Sequence, residues 1–213
     1  IGMDRSITSE NIFIGNGSDE VIDILFRIFC NPGKDKALTF SPTYGMYGVS
    51  AAINDVELIK VPLDATFDID VETTVPLLQD ETLKLVFICS PNNPTGNSLS
   101  MEAIESILQT FNGVVLIDEA YIDFSLQESL VKLINKYDNL VISQTFSKAW
   151  GLAAARVGIA FTNKAILNLM NKVKPPYNVS ALNQQAAIDV LQKKALVDSK
   201  NIKAPSCPIC LTG

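Results

Sequence analysis

Lys84-Leu85-Val86-Phe87-Ile88-Cys89 runs straight into Ser90-Pro91-Asn92-Asn93-Pro94-Thr95-Gly96, and the reading of the whole chain turns on this junction. An apolar run this short, bounded by turn residues, reads as a strand buried on both faces of a sheet. The segment behind it is a rigid polar turn, because its prolines fix φ and its asparagines offer side-chain hydrogen bonds. Residues 101–108 follow with Ile104, Ile107 and Leu108 on one helical face, and residues 114–118 return to a continuous apolar run that ends in Asp118. Strand, turn, amphipathic helix and strand in that order make a βαβ unit, whose strands lie parallel.

The same alternation extends outward in both directions. Residues 11–15, 37–40, 56–61, 140–144 and 156–161 are further short runs rich in Val, Ile, Leu and Phe. Residues 18–29 place Val21, Ile22, Leu25, Ile28 and Phe29 on one helical face. The expected fold is α/β: a three-layer αβα sandwich around a mostly parallel sheet. No internal repeat, low-complexity segment or linker interrupts the chain before about residue 195. Residues 1–195 therefore read as one domain, and residues 196–213, with Pro205, Pro208 and no periodicity, as an irregular tail or the start of a smaller domain.

Composition narrows the chemistry. The chain of 213 residues is 47% hydrophobic, ample for a buried core. Its 17 basic and 23 acidic side chains leave a net charge of −6 and no broad basic surface, so nucleic acid is not an expected partner. No apolar run is long enough to span a bilayer, and Asp4, Arg5, Glu10, Asp19 and Glu20 interrupt the place where a signal peptide would need its apolar core. The expected location is cytoplasmic, without membrane contact. Histidine is absent, which removes Ser-His-Asp and Cys-His catalysis and every histidine-containing metal site. No metal is expected. Cys30 and Cys89 read as small core residues, while Cys207 and Cys210 supply only two of the four thiolates of a structural zinc site.

In open parallel sheets ligands bind beyond the carboxyl ends of the strands, so the residues just after each strand are the place to look. Behind residues 11–15 stands Gly15-Asn16-Gly17-Ser18-Asp19-Glu20, where Ser18 can cap a helix whose free N–H groups would hold a phosphate; taken alone, the stretch reads more readily as an ordinary helix start with acidic residues facing the dipole. Tyr44 lies in a proline-containing turn, and Asn93 in the turn described above. Asp118-Glu119-Ala120-Tyr121 puts a carboxylate at the end of a buried strand, costly there without a cationic partner. Thr145-Phe146-Ser147-Lys148, with Arg156 shortly after, gathers hydroxyls, an amine and a guanidinium. Pyridoxal 5′-phosphate (PLP) needs this combination: a lysine for its aldehyde, a carboxylate for its pyridine nitrogen, a phosphate cradle and an aromatic ring to cover its face.

GNGSDE, SPTYGMY, SPNNPTG, DEAYIDF, TFSKAWGLAAARVG and KPPYNV, spread in order over roughly residues 10–190, resemble the fold-type I PLP-dependent aminotransferases of class I/II, and among them the histidinol-phosphate aminotransferases most. The resemblance implies a PLP-binding large domain in which Lys148 is the Schiff-base lysine and general base. It also implies Asp118 on the pyridine nitrogen, Asn93 and Tyr121 on the ring oxygen, and Tyr44 stacked on the ring. The phosphate would then be held by the backbone of Ser18 and Asp19 with Thr145, Ser147 and Arg156. An amino donor and a 2-oxo acid as substrates, and a homodimer, are implied too. Members of the family also carry an N-terminal arm and a smaller C-terminal domain that are not visible in these residues. Two alternatives stay open at this point: a decarboxylase of the threonine-phosphate type on the same fold, and a noncatalytic PLP-binding fragment.

Overall fold

The structure is a computed structural model that describes residues 7–194 and residue 197. Seven strands are formed: β1 (Ile12–Asn16), β2 (Lys36–Ser41), β3 (Glu57–Pro62), β4 (Leu83–Cys89), β5 (Val114–Asp118), β6 (Leu140–Thr145) and β7 (Val157–Thr162). They make one sheet in the order β1-β7-β6-β5-β4-β2-β3. The helices bounded within the described residues are α1 (Gly17–Phe29), α2 (Met46–Ile53), α3 (Val71–Thr74), α4 (Met101–Thr110), α5 (Lys164–Val173) and α6 (Ala181–Leu191), with short 3-10 turns between.

Every strand but β7 points the same way; β7 is antiparallel to both of its neighbours. The reversal has a plain cause. Residues 146–156 are all that separate β6 from β7, and a parallel crossover takes about a dozen residues or more. The chain therefore turns back as a wide hairpin, and β7 starts at the edge where β1, β4, β5 and β6 end. Asn16 pairs with Val157, and Thr145 with Gly158, across that edge.

The central strands are buried on both faces, as continuous apolar runs require. Alternation divides their side chains between two cores. Leu85, Phe87, Leu116, Val141 and Ala160 pack with Val21, Ile22, Leu25 and Phe26 of α1, Tyr47 of α2 and Met170 of α5. Val86, Ile88, Val115, Ile117 and Ile142 pack on the other face with Ile104, Ile107 and Leu108 of α4 and Ala187 of α6. Each large side chain buried this way contributes roughly 1.5–3 kcal/mol. The sandwich is thus three layers deep.

α1 buries a wider arc than its periodicity predicts. Ile24 and Phe26 join Val21, Ile22 and Leu25 in the core, whereas Ile28 and Phe29 are half-buried. The cause is the company it keeps, since α1 packs against the sheet and against α2 and α5 together. Cys89 is buried as expected, while Cys30 is only half-buried. Apart from residue 197, the tail of residues 196–213, with Cys207 and Cys210, lies outside the described residues. Among the described residues no helix is long and apolar enough to cross a membrane.

Candidate active site

The strand ends converge on one cavity of about 160 Å³. Its floor is the end of β5. Burial of all five residues of this strand carries Asp118 into the protein, where it is 2% exposed. Oδ1 accepts from Ser143 Oγ and from the Ala120 backbone N–H, both at 3.1 Å, and Oδ2 accepts from Tyr47 Oη at 3.1 Å. Burial pushes the Asp118 carboxyl above its ordinary range, while the hydrogen bonds from Tyr47, Ser143 and Ala120 oppose that rise. No Lys or Arg of the described residues pairs with Asp118; three donors hold the carboxylate and offset part of the cost of burying it.

Glu119 is held differently. It is 1% exposed and accepts from Ser129 Oγ at 2.6 Å, Leu130 N at 2.7 Å and Gln144 Nε2 at 2.8 Å. Burial pushes its carboxyl up to about 7. Glu119 therefore ties the end of β5 to residues 129–130 and to β6, and fixes the frame that carries Asp118 and Tyr121.

Lys148 sits on the loop that joins β6 to β7. Phe146 and Trp150, on either side of it, are buried with ring centroids 5.4 Å apart, which anchors the loop from below. Backbone bonds from Phe146 N to Val157 O at 3.0 Å, from Leu152 N to Phe146 O at 2.9 Å and from Gly151 N to Lys148 O at 3.0 Å close it. Lys148 is left on the exposed side and lines the cavity, with Nζ 5.3 Å from the centroid of the Tyr121 ring. Asn93 reaches the same cavity from the turn after β4. Its neighbour Asn92 holds that turn, accepting from Thr43 Oγ1 at 2.8 Å and donating to Pro42 O at 2.9 Å.

The opposite wall is the start of α1. Here one expectation is corrected. Ser18 does not cap the helix: α1 begins at Gly17 behind Asn16, and no side chain caps it. Ser18 instead lies in the first turn and lines the cavity. Gly17 adopts φ +75°, which glycine reaches without strain, and its N–H bonds to Arg156 O at 2.9 Å. The close approach depends on a second glycine. A Cβ on Gly158 of β7 would lie 2.3 Å from Gly17 C and 2.4 Å from Ser18 N. Only a residue without a side chain lets β7 support the free N–H groups of α1 at this distance.

Arg156 takes the left-handed conformation with φ +48°, which is uncommon outside glycine and turns its side chain toward α1. Its Nη2 lies 3.1 Å from Asp19 Oδ2, and Tyr44 Oη donates to Asp19 Oδ1 at 3.1 Å. Thr145 accepts from the Ser147 backbone N–H at 3.1 Å. Arg156, Thr145, Ser147 and the start of α1 form a donor-rich wall suited to an anion. The buried carboxylate across from it suits a protonated ring nitrogen.

All ten side chains singled out from the sequence line this cavity: Ser18, Asp19, Tyr44, Asn93, Asp118, Tyr121, Thr145, Ser147, Lys148 and Arg156. Sequence reasoning missed Tyr47, Ser143, Glu119 and Gly158. A signal existed for one of them: Ser143 is a hydroxyl inside an apolar strand, and the sheet sets it directly across from Asp118.

The family profile described as "Aminotransferase class I and II" matches residues 4–205. The histidinol-phosphate aminotransferase of Cytophaga hutchinsonii is 52% identical over 194 residues, covering 91% of this chain and 56% of that protein. The crystal structure of the histidinol-phosphate aminotransferase from Clostridium acetobutylicum superposes with a TM-score of 0.80 at 28% identity, covering 89% of this chain and 56% of that one. The enzyme of the same name from Sinorhizobium meliloti, solved in complex with pyridoxal-5′-phosphate, superposes with a TM-score of 0.80 at 24% identity, covering 89% of this chain and 52% of that one, a likeness of fold. The chain spans about half the length of the curated relatives it matches. With its three-layer fold and a profile match over nearly its whole length, the chain belongs to the class I and II aminotransferase family.

Proposed function

We propose that residues 1–195 are the PLP-binding large domain of an aminotransferase that moves an amino group from histidinol phosphate to 2-oxoglutarate. The observation that carries this reading is a lysine amine and a buried carboxylate facing one cavity whose far wall is a helix start beside an arginine. The donor set fits PLP. Asp118 keeps an acceptor position in a dry setting for a protonated nitrogen, and Arg156 with the first turn of α1 offers the donors a phosphate wants. The relatives at about half identity all carry the histidinol-phosphate aminotransferase name, which favours transamination over decarboxylation.

When bound, PLP supplies an electron sink for the carbon next to the substrate nitrogen. Lys148 Nζ would hold it covalently, and the same amine, when free, is the base placed to take the proton from the substrate Cα. Asp118 would keep a proton on the ring nitrogen, Asn93 and Tyr121 would bind the ring oxygen, and Tyr44 would lie against the ring. The backbone N–H groups of Ser18 and Asp19, with Thr145, Ser147 and Arg156, would hold the phosphate. Amino donor and 2-oxo acid use one site in turn, so ping-pong kinetics are expected. A homodimer and a cytoplasmic location belong to the same reading.

Titrating the protein with PLP is expected to raise a visible absorbance band. Histidinol phosphate should bleach this band, and 2-oxoglutarate should restore it. A band that ignores histidinol phosphate, or a reaction that releases carbon dioxide, would overturn the assignment.

A further inference from the structure

Tyr47 is one of the largest fully buried side chains in the molecule. Its ring is stacked on Phe87 with centroids 5.1 Å apart and meets Tyr44 edge-on at 5.7 Å. Phe87 in turn stacks on Phe26 of α1 at 5.0 Å. Within this column of rings the phenol donates to Asp118 Oδ2 at 3.1 Å, with the buried Cys89 thiol beside it. Burial, then the charge of Asp118 and the Cys89 thiol beside it, push the Tyr47 hydroxyl well above its ordinary range, so it stays protonated.

A carboxylate has about four acceptor positions. Ser143 Oγ and Ala120 N fill Oδ1, and Tyr47 fills half of Oδ2. One acceptor position on Oδ2 is left, and Asp118 lines the cavity. We propose that Tyr47 is a positioning residue which aims Asp118 Oδ2 at the cofactor's ring nitrogen and keeps the shared proton on that nitrogen rather than on the carboxyl. This deepens the reading of the cavity as a PLP site and rests on it. The sign follows from basicity. A donor on Oδ2 makes the carboxylate a weaker base, so removing the donor moves the proton from the ring toward Asp118. Asp19 works on Asp118 in the opposite sense to the Tyr47 bond, and the neighbouring Glu119 carboxyl is itself raised by the charge of Asp118.

Tyr47→Phe keeps the ring column and deletes only the hydroxyl, so the fold is expected to survive. Two measurements test the role. In the protein without PLP, the ¹³Cγ titration of Asp118, assigned by its loss in Asp118→Asn, is expected to rise by about one pH unit in Tyr47→Phe. With ¹⁵N1-labelled PLP bound, the ring-nitrogen resonance is expected to move toward that of a neutral pyridine, and PLP affinity to fall about tenfold. If the wild-type protein binds PLP and both the carboxyl titration and the nitrogen resonance are unchanged in Tyr47→Phe, the positioning role is wrong while the cofactor reading stands. If the wild-type protein binds no PLP, the cofactor reading falls and takes the Tyr47 role with it.

Discussion

Glu119→Gln isolates one buried carboxyl and makes its effect on stability depend on pH. Burial raises Glu119 from an ordinary 4.5 to about 7, outweighing three hydrogen bonds from Ser129, Leu130 and Gln144. A carboxyl whose folded value is raised favours the folded state most at low pH. Its contribution is fully present below 4.5 and is lost as pH rises through 7. At about 1.36 kcal/mol per pH unit, the interval from 4.5 to 7 corresponds to about 3 kcal/mol. Glutamine carries no charge at any pH, although its NH2 must face donors that now meet a carboxyl oxygen. That cost is the same at every pH, so the stability of the variant relative to the parent should shift in the variant's favour by about 3 kcal/mol between pH 4 and pH 8. Urea unfolding of both proteins at those two pH values measures the difference directly. A difference that does not change with pH, or one that shifts in the parent's favour as pH rises, would refute the reasoning. Either result would mean that the three donors outweigh burial and that Glu119 is held as an anion.

Three further outcomes are expected. Gly158→Ala drives a methyl group into the backbone of Gly17 and Ser18, so it should cost about 1–3 kcal/mol of stability by thermal melt and weaken PLP binding more than a surface Gly→Ala change does. Asp118→Asn replaces the buried anion with a neutral amide that leaves the three donors in place, and should lower PLP affinity tenfold to hundredfold in an absorbance titration, about 1.5–3 kcal/mol for a charge-assisted bond. Arg156→Lys keeps the charge and loses the planar fork beside Asp19, so affinity for PLP should fall at least about tenfold, with a smaller loss for pyridoxal, which has no phosphate.

Much of the fold was legible because continuous apolar strands separated by Gly, Pro and Asn carry their own boundaries. Residues 114–118 are β5 itself, and residues 84–89 differ from β4 only by Leu83. The direction of β7 was harder to see, since an apolar run reads the same both ways and only the short connection from Thr145 to Val157 excludes a crossover. α6 mixes apolar and polar residues around its circumference and buries only Ala187, so its periodicity does not stand out. The ten cavity residues were legible because each follows a strand or opens the next element, which is where a parallel sheet collects ligands. Tyr47 and Gly158 were not, for a different reason. Tyr47 is a core aromatic whose hydroxyl finds its target in Asp118, far along the chain, and Gly158 matters only because α1 lies against β7. Both depend on tertiary packing that no local pattern encodes.

The most direct test of the central claim is to mix the protein with PLP, reduce the complex with borohydride, digest it and locate the phosphopyridoxyl group by mass spectrometry. The account predicts one major label, on the peptide carrying Lys148, and its loss in Lys148→Ala. A label spread over exposed lysines such as Lys164 and Lys172, or one unchanged in the variant, would contradict it.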